Sequence, residues 1–441
     1  MRPQEVAEHV LDLARKAMPG AEIEVKADRT STGLTRFANS FIHQNVAEDT
    51  TSVWLRAHRD GRTIALSTTT PDYAAFVDRA AAMAQRAPAD PGWPGLSREQ
   101  PLERDVARDE ATAAASPGDR AALVRDFVDA VGGLEAAGYC RTVAWTGAYR
   151  NSAGQALDAA TASADMDGIA RFNGADSVAR RLSARLSDLD GAELGSRAAD
   201  SVRSQAGPQE LPPGRYEVIF EPEAVSDLLN NLIMHGFNGK VFNEGRSFAE
   251  LGTPQFDPLI SIHDDPFAGD IGARPFDHEG TPRSRLALVN SGITSAIAHD
   301  RRTAREAGAR STGHAVPGEN WGPMAANAGL APGTATLESM IAAMGRGILV
   351  RDLWYTRVLD PRSLVMTGLT RNGAWLVENG EIVKPLRNFR FTQSYPRALE
   401  PGAVLGVGST PVPQPSRREL NTLSCPALHL ASWNFTGGAS G

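Results

Sequence analysis

The chain has 441 residues, 41% of them apolar and 22% charged, with a formal net charge of −7. That length exceeds one ordinary core and predicts two or three domains of a soluble globular protein. Acids and bases are mixed and no run of about 18 apolar residues occurs, so neither nucleic-acid binding nor a membrane span is expected.

In chain order, Val6, Val10, Leu13, Ala14 and Ala17 form one stripe. They predict an amphipathic helix over about 4–18 rather than a signal peptide. "AEIEVKAD" alternates as a strand, and the stretch to Thr70 carries two or three further β runs with Asp60-Gly61 as a hairpin turn. Thr70-Pro71 opens a second helix, and "APADPGWPGLSREQPLERD" then reads as a linker. Ser116-Pro117 starts a third helix carrying Ala121, Leu123, Phe127 and Val131. The strands "YCRTVAWTGAYR" and "QALDAATASADMDGIARF" flank the turn "NSAG", and a helix follows over about 190–205. After the break "QAGPQELPPG" come the strand "RYEVIF" and a helix from Pro222. Its apolar stripe is Val225, Leu228, Leu229, Leu232 and Ile233, and His235-Gly236 ends it. Asn372-Gly373 and Asn379-Gly380 predict two hairpins of an antiparallel meander, and "ALHLASWNF" a last strand. The sum is an α+β fold. It divides into an N-terminal α+β domain over 1–105, a middle α+β domain over 106–212 and a β-rich antiparallel C-terminal domain with a few helices over 213–441.

The helix from Pro222 raises the sharpest chemical question. Zinc peptidases carry two histidines on one helix, with a glutamate beside the first as general base. Here Asn230 and His235 stand five apart, and Asn231 stands where a base would stand. An amide is a poor zinc ligand and takes no proton near neutral pH. Two readings stay open: a helix-end histidine bonded to the last carbonyls, or a degenerate metal site. Downstream, His263, Asp264, Asp265, Asp270, Asp277, His278 and Glu279 cluster within seventeen residues. They are candidates for a metal site or a substrate cavity, or for a polar loop built of Asx turns. His299, Asp300, His314 and Glu319 lie among mixed charges and read as a solvated face, with Arg301 or Arg302 as candidate phosphate or carboxylate binders. No G-x-S-x-G, G-x-G-x-x-G or P-loop signature is present. Cys140 and Cys425 read as core residues of a protein in a reducing, cytoplasmic setting, with neither a disulfide framework nor a C-x-x-C zinc site.

Several motifs in order resemble those of one family, the TldD/PmbA proteins, whose second member is also called TldE. They are "RFANSFIHQN", "EAVSDLLNNLIMHGFNGKVF", "SFAELGTPQFDPLISIHDD", "PFDHEGTPRSR", "DRRTAREAGARSTGHA" and "GLTRNGAWLVENGEI". The resemblance covers nearly the whole chain. Once described as modulators of DNA gyrase, these proteins are better described as paired metallopeptidase subunits. The TldD branch carries H-E-x-x-x-H on the central helix and a later cysteine as third zinc ligand. Carried over, Asn230 takes the first histidine position, Asn231 the glutamate and His235 the second histidine. The cysteine stretch corresponds to "VGVGSTPVPQP", which has none, and Cys425 does not match. The resemblance therefore implies the PmbA/TldE side, a subunit without a metal. It implies a TldD-like partner that carries the zinc and a shared cavity for peptides. The "LWYTRVLDPRSLVMTGLTRNG" stretch departs from the usual PmbA wording and marks a divergent subgroup. His263, Asp264, Asp277, His278 and Glu279 are the candidate cavity residues. Two alternatives stay open. One is an independent metal-dependent hydrolase in which His235 recruits His263, Asp264 or His278. The other is a homodimer that binds a peptide or small metabolite without cleaving it.

Overall fold

A computed structural model describes residues 1–268, 271–318, 321–415 and 422–438. The first half is a six-stranded antiparallel sheet. Its strands are β1 (Glu22–Ala38), β2 (Phe41–Arg59), β3 (Arg62–Thr68), β4 (Glu135–Asn151), β5 (Ala156–Phe172) and β6 (Ala175–Ser183), in the order β3-β2-β1-β4-β5-β6. Asp60 and Gly61, both at positive φ, turn β2 into β3. The period of two divides the two faces. Ile23, Val25 and Ala27 pack under the helices Pro3–Ala17 and Tyr73–Ala84. At the other end of the sheet, Cys140, Ala164 and Met166 pack under Pro117–Val131 and Gly191–Arg203. Asp72 and Ser116 cap two of these helices, each accepting from the backbone N–H three residues on. The alternate residues Glu24, Lys26 and Asp28, with Trp145 and Tyr149 of β4, occupy the opposite face.

The two expected units at 1–105 and 106–212 are joined in this one sheet. β1 and β4 pair from Glu24↔Asn151 to Phe37↔Gly138, so the strand order crosses the linker between them. Long-range strand pairing of this kind leaves no local mark in the sequence.

The second half continues with β7 (Gly214–Phe220), β8 (Ile262–Asp264), β9 (Leu286–Asn290), β10 (Ile293–Thr294) and β11 (Asn327–Leu330). It ends with β12 (Arg346–Asp360), β13 (Val365–Glu378), β14 (Glu381–Pro385), β15 (Phe389–Ser394), β16 (Val404–Val407), β17 (Val412–Gln414), β18 (Thr422–Cys425) and β19 (Leu428–Gly438). β12, β7, β19, β15 and β13 are neighbours in that order, and a further β12–β13 pairing closes them into a ring. The meander is antiparallel as expected, but β7–β12 and β11–β18 pair in parallel. A second, smaller sheet has the order β10-β9-β8-β11-β18-β17. The largest apolar core joins the ring interior (Phe220, Val350, Phe391, Trp433) to the helix Pro222–His235.

One hairpin signal is a bulge. Asn379-Gly380 does turn β13 into β14, with φ of 52° and 82°. Asn372-Gly373 lies inside β13: Arg371 pairs Asp352 and Ala374 pairs Val350, so two residues face one. Cys140 and Cys425 are both free and buried. No helix among the described residues is long and apolar enough to cross a membrane.

Candidate functional site

The central helix runs from Pro222 to His235 and buries Val225, Leu228, Leu229, Leu232 and Ile233. The reason for the adjacent asparagines is visible at Asn231. Its amide nitrogen donates to the Asp227 carbonyl at 2.9 Å, to Asp227 Oδ2 at 3.2 Å and to Thr356 Oγ1 at 3.4 Å. Thr356 and Tyr395 hydroxyls donate to the same Asp227 carboxylate, at 3.1 and 3.4 Å. Asn231 thus belongs to a half-buried polar network that ties the helix to β12 and to the segment after β15. Asn230 places its amide nitrogen 3.6 Å from Met234 Sδ, and His235 is half-buried at the helix end. This donor set does not fit zinc. Among the described residues no three His, Cys, Asp or Glu side chains converge as a metal site would require. Cys425 is buried, and burial pushes its thiol up, away from the thiolate that binds metal.

The acidic cluster separates into three settings. His263 is half-buried on β8, where burial and then Arg285 lower its pKa. Asp264 is fully buried; Arg283 donates to it at 2.6 Å, the Asn327 N–H at 2.6 Å, and His314 Nε2 lies at 3.0 Å. Burial opposes its charge, but Arg283 and His314 hold its carboxyl far below the usual range. Asp277 builds an Asx turn, accepting the N–H groups of Glu279, Thr281 and Ala315 at 2.9, 2.9 and 3.0 Å. Burial and the neighbouring Glu279 push Asp277 up, against the N–H groups of Thr281 and Ala315. His278 stacks on Trp54 with ring centroids 4.5 Å apart. Burial and then Lys26 push it down to about 3, so its ring is neutral at physiological pH. Asp270 and Glu319 lie outside the described residues.

Glu279 belongs to a buried ring of charges. Arg56 donates to Glu24 and, at 2.7 Å, to Glu279. Arg301 donates to Glu24 at 2.5 Å and to Glu279 through its Nε at 3.2 Å and its backbone N–H at 3.0 Å. Against the cost of burial, Arg56 and Arg301 hold Glu279 down to about 2. The Arg56 Cζ lies 5.2 Å from the Trp54 ring centroid and 5.0 Å from that of Trp93. Arg302 forms a two-pronged pair with Asp90 in the linker. Asp300 caps the helix Arg301–Glu306, and His299 Nδ1 lies 3.1 Å from Thr303 Oγ1. The stretch that reads as a solvated face in the sequence is therefore an internal joint.

Between the β1–β4–β5 face and the loops of the second half lies a cleft of about 570 Å³. Asp277, His278, Arg283 and His314 line it, with Arg141, Trp145, Asp165, Arg274 and Phe276. Asn230, Asn231, His235, His263, Asp264 and Glu279 do not. The candidate residues are thus spread over the helix, the buried joint and the cleft wall.

A profile of the PmbA/TldA metallopeptidase C-terminal domain matches residues 213–437, just over half of the chain. The chain belongs to the PmbA/TldD family. It is 26% identical over 407 residues to the Metalloprotease PmbA of Escherichia coli O157:H7, covering 87% of this chain and 86% of that one. A Metalloprotease TldD homolog of Buchnera aphidicola is 28% identical over 182 residues, 40% of this chain and 37% of that one. The fold matches the crystal structure of TldE from Thermococcus kodakarensis with a TM-score of 0.87 and 18% identity, covering 98% of this chain and 99% of that one. In this member of the PmbA/TldD family, sequence reasoning passes over Glu24, Arg56 and Arg274. The available signal is the alternation of Glu22, Glu24, Lys26 and Asp28 in "EIEVKAD". It marks one polar face of a strand but not what covers that face.

Proposed function

We propose that this chain is a PmbA/TldE-like subunit of a TldD-type zinc metallopeptidase complex. It cuts no peptide itself; it binds peptide and helps form the proteolytic cavity, in the cytoplasm. The TldD-like partner supplies the zinc. The observation that carries this reading is the donor set of the central helix. Asn231, at the position of the family's general base, is engaged by Asp227 and Thr356, and no group of three His, Cys, Asp or Glu side chains that could hold a metal occurs among the described residues. The 26% identity to a protein named PmbA along most of the chain supports the choice of branch. Of the replacement ligands considered for His235, Asp264 is engaged by Arg283 and His314, and neither it nor His263 or His278 belongs to a group of three that could hold a metal among the described residues.

The test is co-expression with a TldD-like chain that carries an intact H-E-x-x-x-H. The two are expected to co-purify, with stoichiometric zinc bound to the partner and peptidase activity above that of the partner alone. Absence of both co-purification and the gain in activity removes the proposal. Stoichiometric zinc on this chain alone, lost in His235→Ala, replaces it with an autonomous metal site.

A further inference from the structure

We infer that the cleft binds a peptide carboxylate, with the Arg274 guanidinium as its receptor and the Trp145–Phe276 ring pair as the wall beside it. The inference rests on reading the chain as a peptide-binding subunit and adds the chemical class of the peptide group recognised.

Among the described residues three arginines line the cleft: Arg141, Arg274 and Arg283. Arg141 is held by Asp165, with Nε to Oδ1 at 2.9 Å and Nη2 to Oδ2 at 3.4 Å. Arg283 is held by Asp264 and by Asn327, each at 2.6 Å. Arg274 differs. Its carbonyl accepts from Arg283 at 3.2 Å, but its guanidinium has neither a hydrogen-bond partner nor a carboxylate at ion-pair distance among the described residues. Its Cζ rests 4.7 Å from the Trp145 ring centroid, and Trp145 is packed against Phe276 at 5.9 Å. The acids near it are engaged elsewhere. Asp28 accepts from Lys26 and, at 3.0 Å, from Trp145 Nε1. Asp277 accepts three backbone N–H groups.

Arg274 is crowded by protein, and that desolvation lowers its pKa from the ordinary value with Asp28 opposing. The residue is nonetheless exposed to water. A guanidinium placed on an indole in a cleft, with five N–H donors unused by protein, is complementary to a planar anion that accepts two parallel hydrogen bonds. A carboxylate has that shape. The cleft volume is within the range of small-ligand and short-peptide sites. Trp145 lies next to the cation with Phe276 against it, and Leu182 and Val316 also line the cleft. The carboxylate is either a C-terminal α-carboxylate or an acidic side chain.

The experiment measures fluorescence anisotropy of the purified full chain with an N-terminally fluorescein-labelled hexapeptide of glycine and alanine ending in leucine. Three forms are compared: the free acid, the C-terminal amide, and the amide with a penultimate glutamate. The free acid is expected to bind about tenfold or more tightly than the amide. If the glutamate restores binding, the site takes either kind of carboxylate; if not, it reads the C-terminus. Arg274→Gln is expected to abolish the difference between acid and amide, and Arg274→Lys to retain part of it, both with the melting temperature of the unmodified chain. Equal affinity for acid and amide, or an acid–amide difference that survives in Arg274→Gln, overturns the carboxylate receptor while leaving peptide binding standing. No binding of any form overturns both this inference and the peptide-binding reading. Co-purification with a TldD-like chain is read separately and is expected to be unchanged in Arg274→Gln.

Discussion

At Asn231 the side-chain amide lies 3.2 Å from an Asp227 carboxylate oxygen, so a glutamate there would set a second carboxylate against the first. The double substitution Asn230→His with Asn231→Glu is therefore expected to lower stability and to restore neither tight zinc binding nor peptide cleavage. Metal content by mass spectrometry and a peptidase assay check this; stoichiometric zinc with turnover would contradict it. Asp90 offers a separate test of electrostatics. Hydrogen bonds from Arg302 at 3.0 and 2.9 Å lead the causes that hold its carboxyl down to about 2, from an ordinary 3.8. A depressed acid contributes stability that is full above its unfolded pKa and is lost as pH falls through its folded one. Asp90→Asn is thus expected to cost about 1 kcal/mol at pH 7, in keeping with a partly solvated pair. The gap should close as pH falls from about 4 to about 2. Urea unfolding of both proteins across that range measures it, and a gap independent of pH rules out the assignment. Asp90 and Arg302 are both plain in the sequence, but 212 positions separate them.

The two Asn-Gly pairs show how the same dipeptide resolves differently within one element. Both place residues at positive φ, as the dipeptide favours. At Asn379-Gly380 the chain reverses. At Asn372-Gly373 it cannot, because residues on either side remain paired with β12, and the surplus residue becomes a bulge. The bulge aims a side chain at Asp352 on the neighbouring strand, where the N-terminal sheet also reaches. Asn372 Nδ2 donates to Asp352 Oδ2 at 2.9 Å, and the same oxygen accepts from Arg180 of β6 at 3.2 Å. The closed ring is joined to the N-terminal sheet through it. Gly373 has φ of 129°, and a Cβ there would come within 2.1 Å of the Trp375 ring. Gly373→Ala is expected to destabilise by about 2–4 kcal/mol through backbone strain and overpacking. Thermal and urea unfolding give the value, and a loss below about 0.5 kcal/mol would show that the bulge relaxes freely.

Across the whole molecule, the ring Glu24–Arg56–Glu279–Arg301 joins β1 and β2 to the loops and helix of the second half. Its two acids and two bases balance. A buried pair that loses one partner leaves an uncompensated charge, at about 3–5 kcal/mol. Glu279→Gln is expected to fall in that range, and adding Arg56→Met to recover part of the loss. A single substitution with no measurable effect on the urea midpoint would mean that water reaches the ring and the joint is not dry. Because the cleft lies along this same boundary, a loosened joint is also expected to weaken peptide binding without altering the central helix.

Local patterns were enough to place the five longest helices among the described residues, because their apolar stripes and caps lie within a turn or two of each other; short helices such as Gly239–Asn243 and Leu337–Ala343 carry no such stripe and were not expected. Ser116 caps where turn chemistry expects it, and Pro222 to His235 is helical from end to end, but the second helix starts at Tyr73 under an Asp72 cap and not at Thr70-Pro71. The α+β class, the family motifs and the mismatch of Asn230 and Asn231 with zinc chemistry are likewise written in the sequence. Tertiary structure decided what the polar faces meet. Glu24, Lys26 and Asp28 alternate as a solvated strand face would, yet the second half of the chain covers them. Asp264, Asp277 and Glu279 read as one acidic cluster, yet an Arg–His pair, an Asx turn and a buried charge ring take one each. Arg274 is one of many arginines in sequence and acquires its character only because β4 brings Trp145 beneath it. Burial and charge pairing depend on contacts between segments far apart in the chain, and periodicity within a segment carries no information about them.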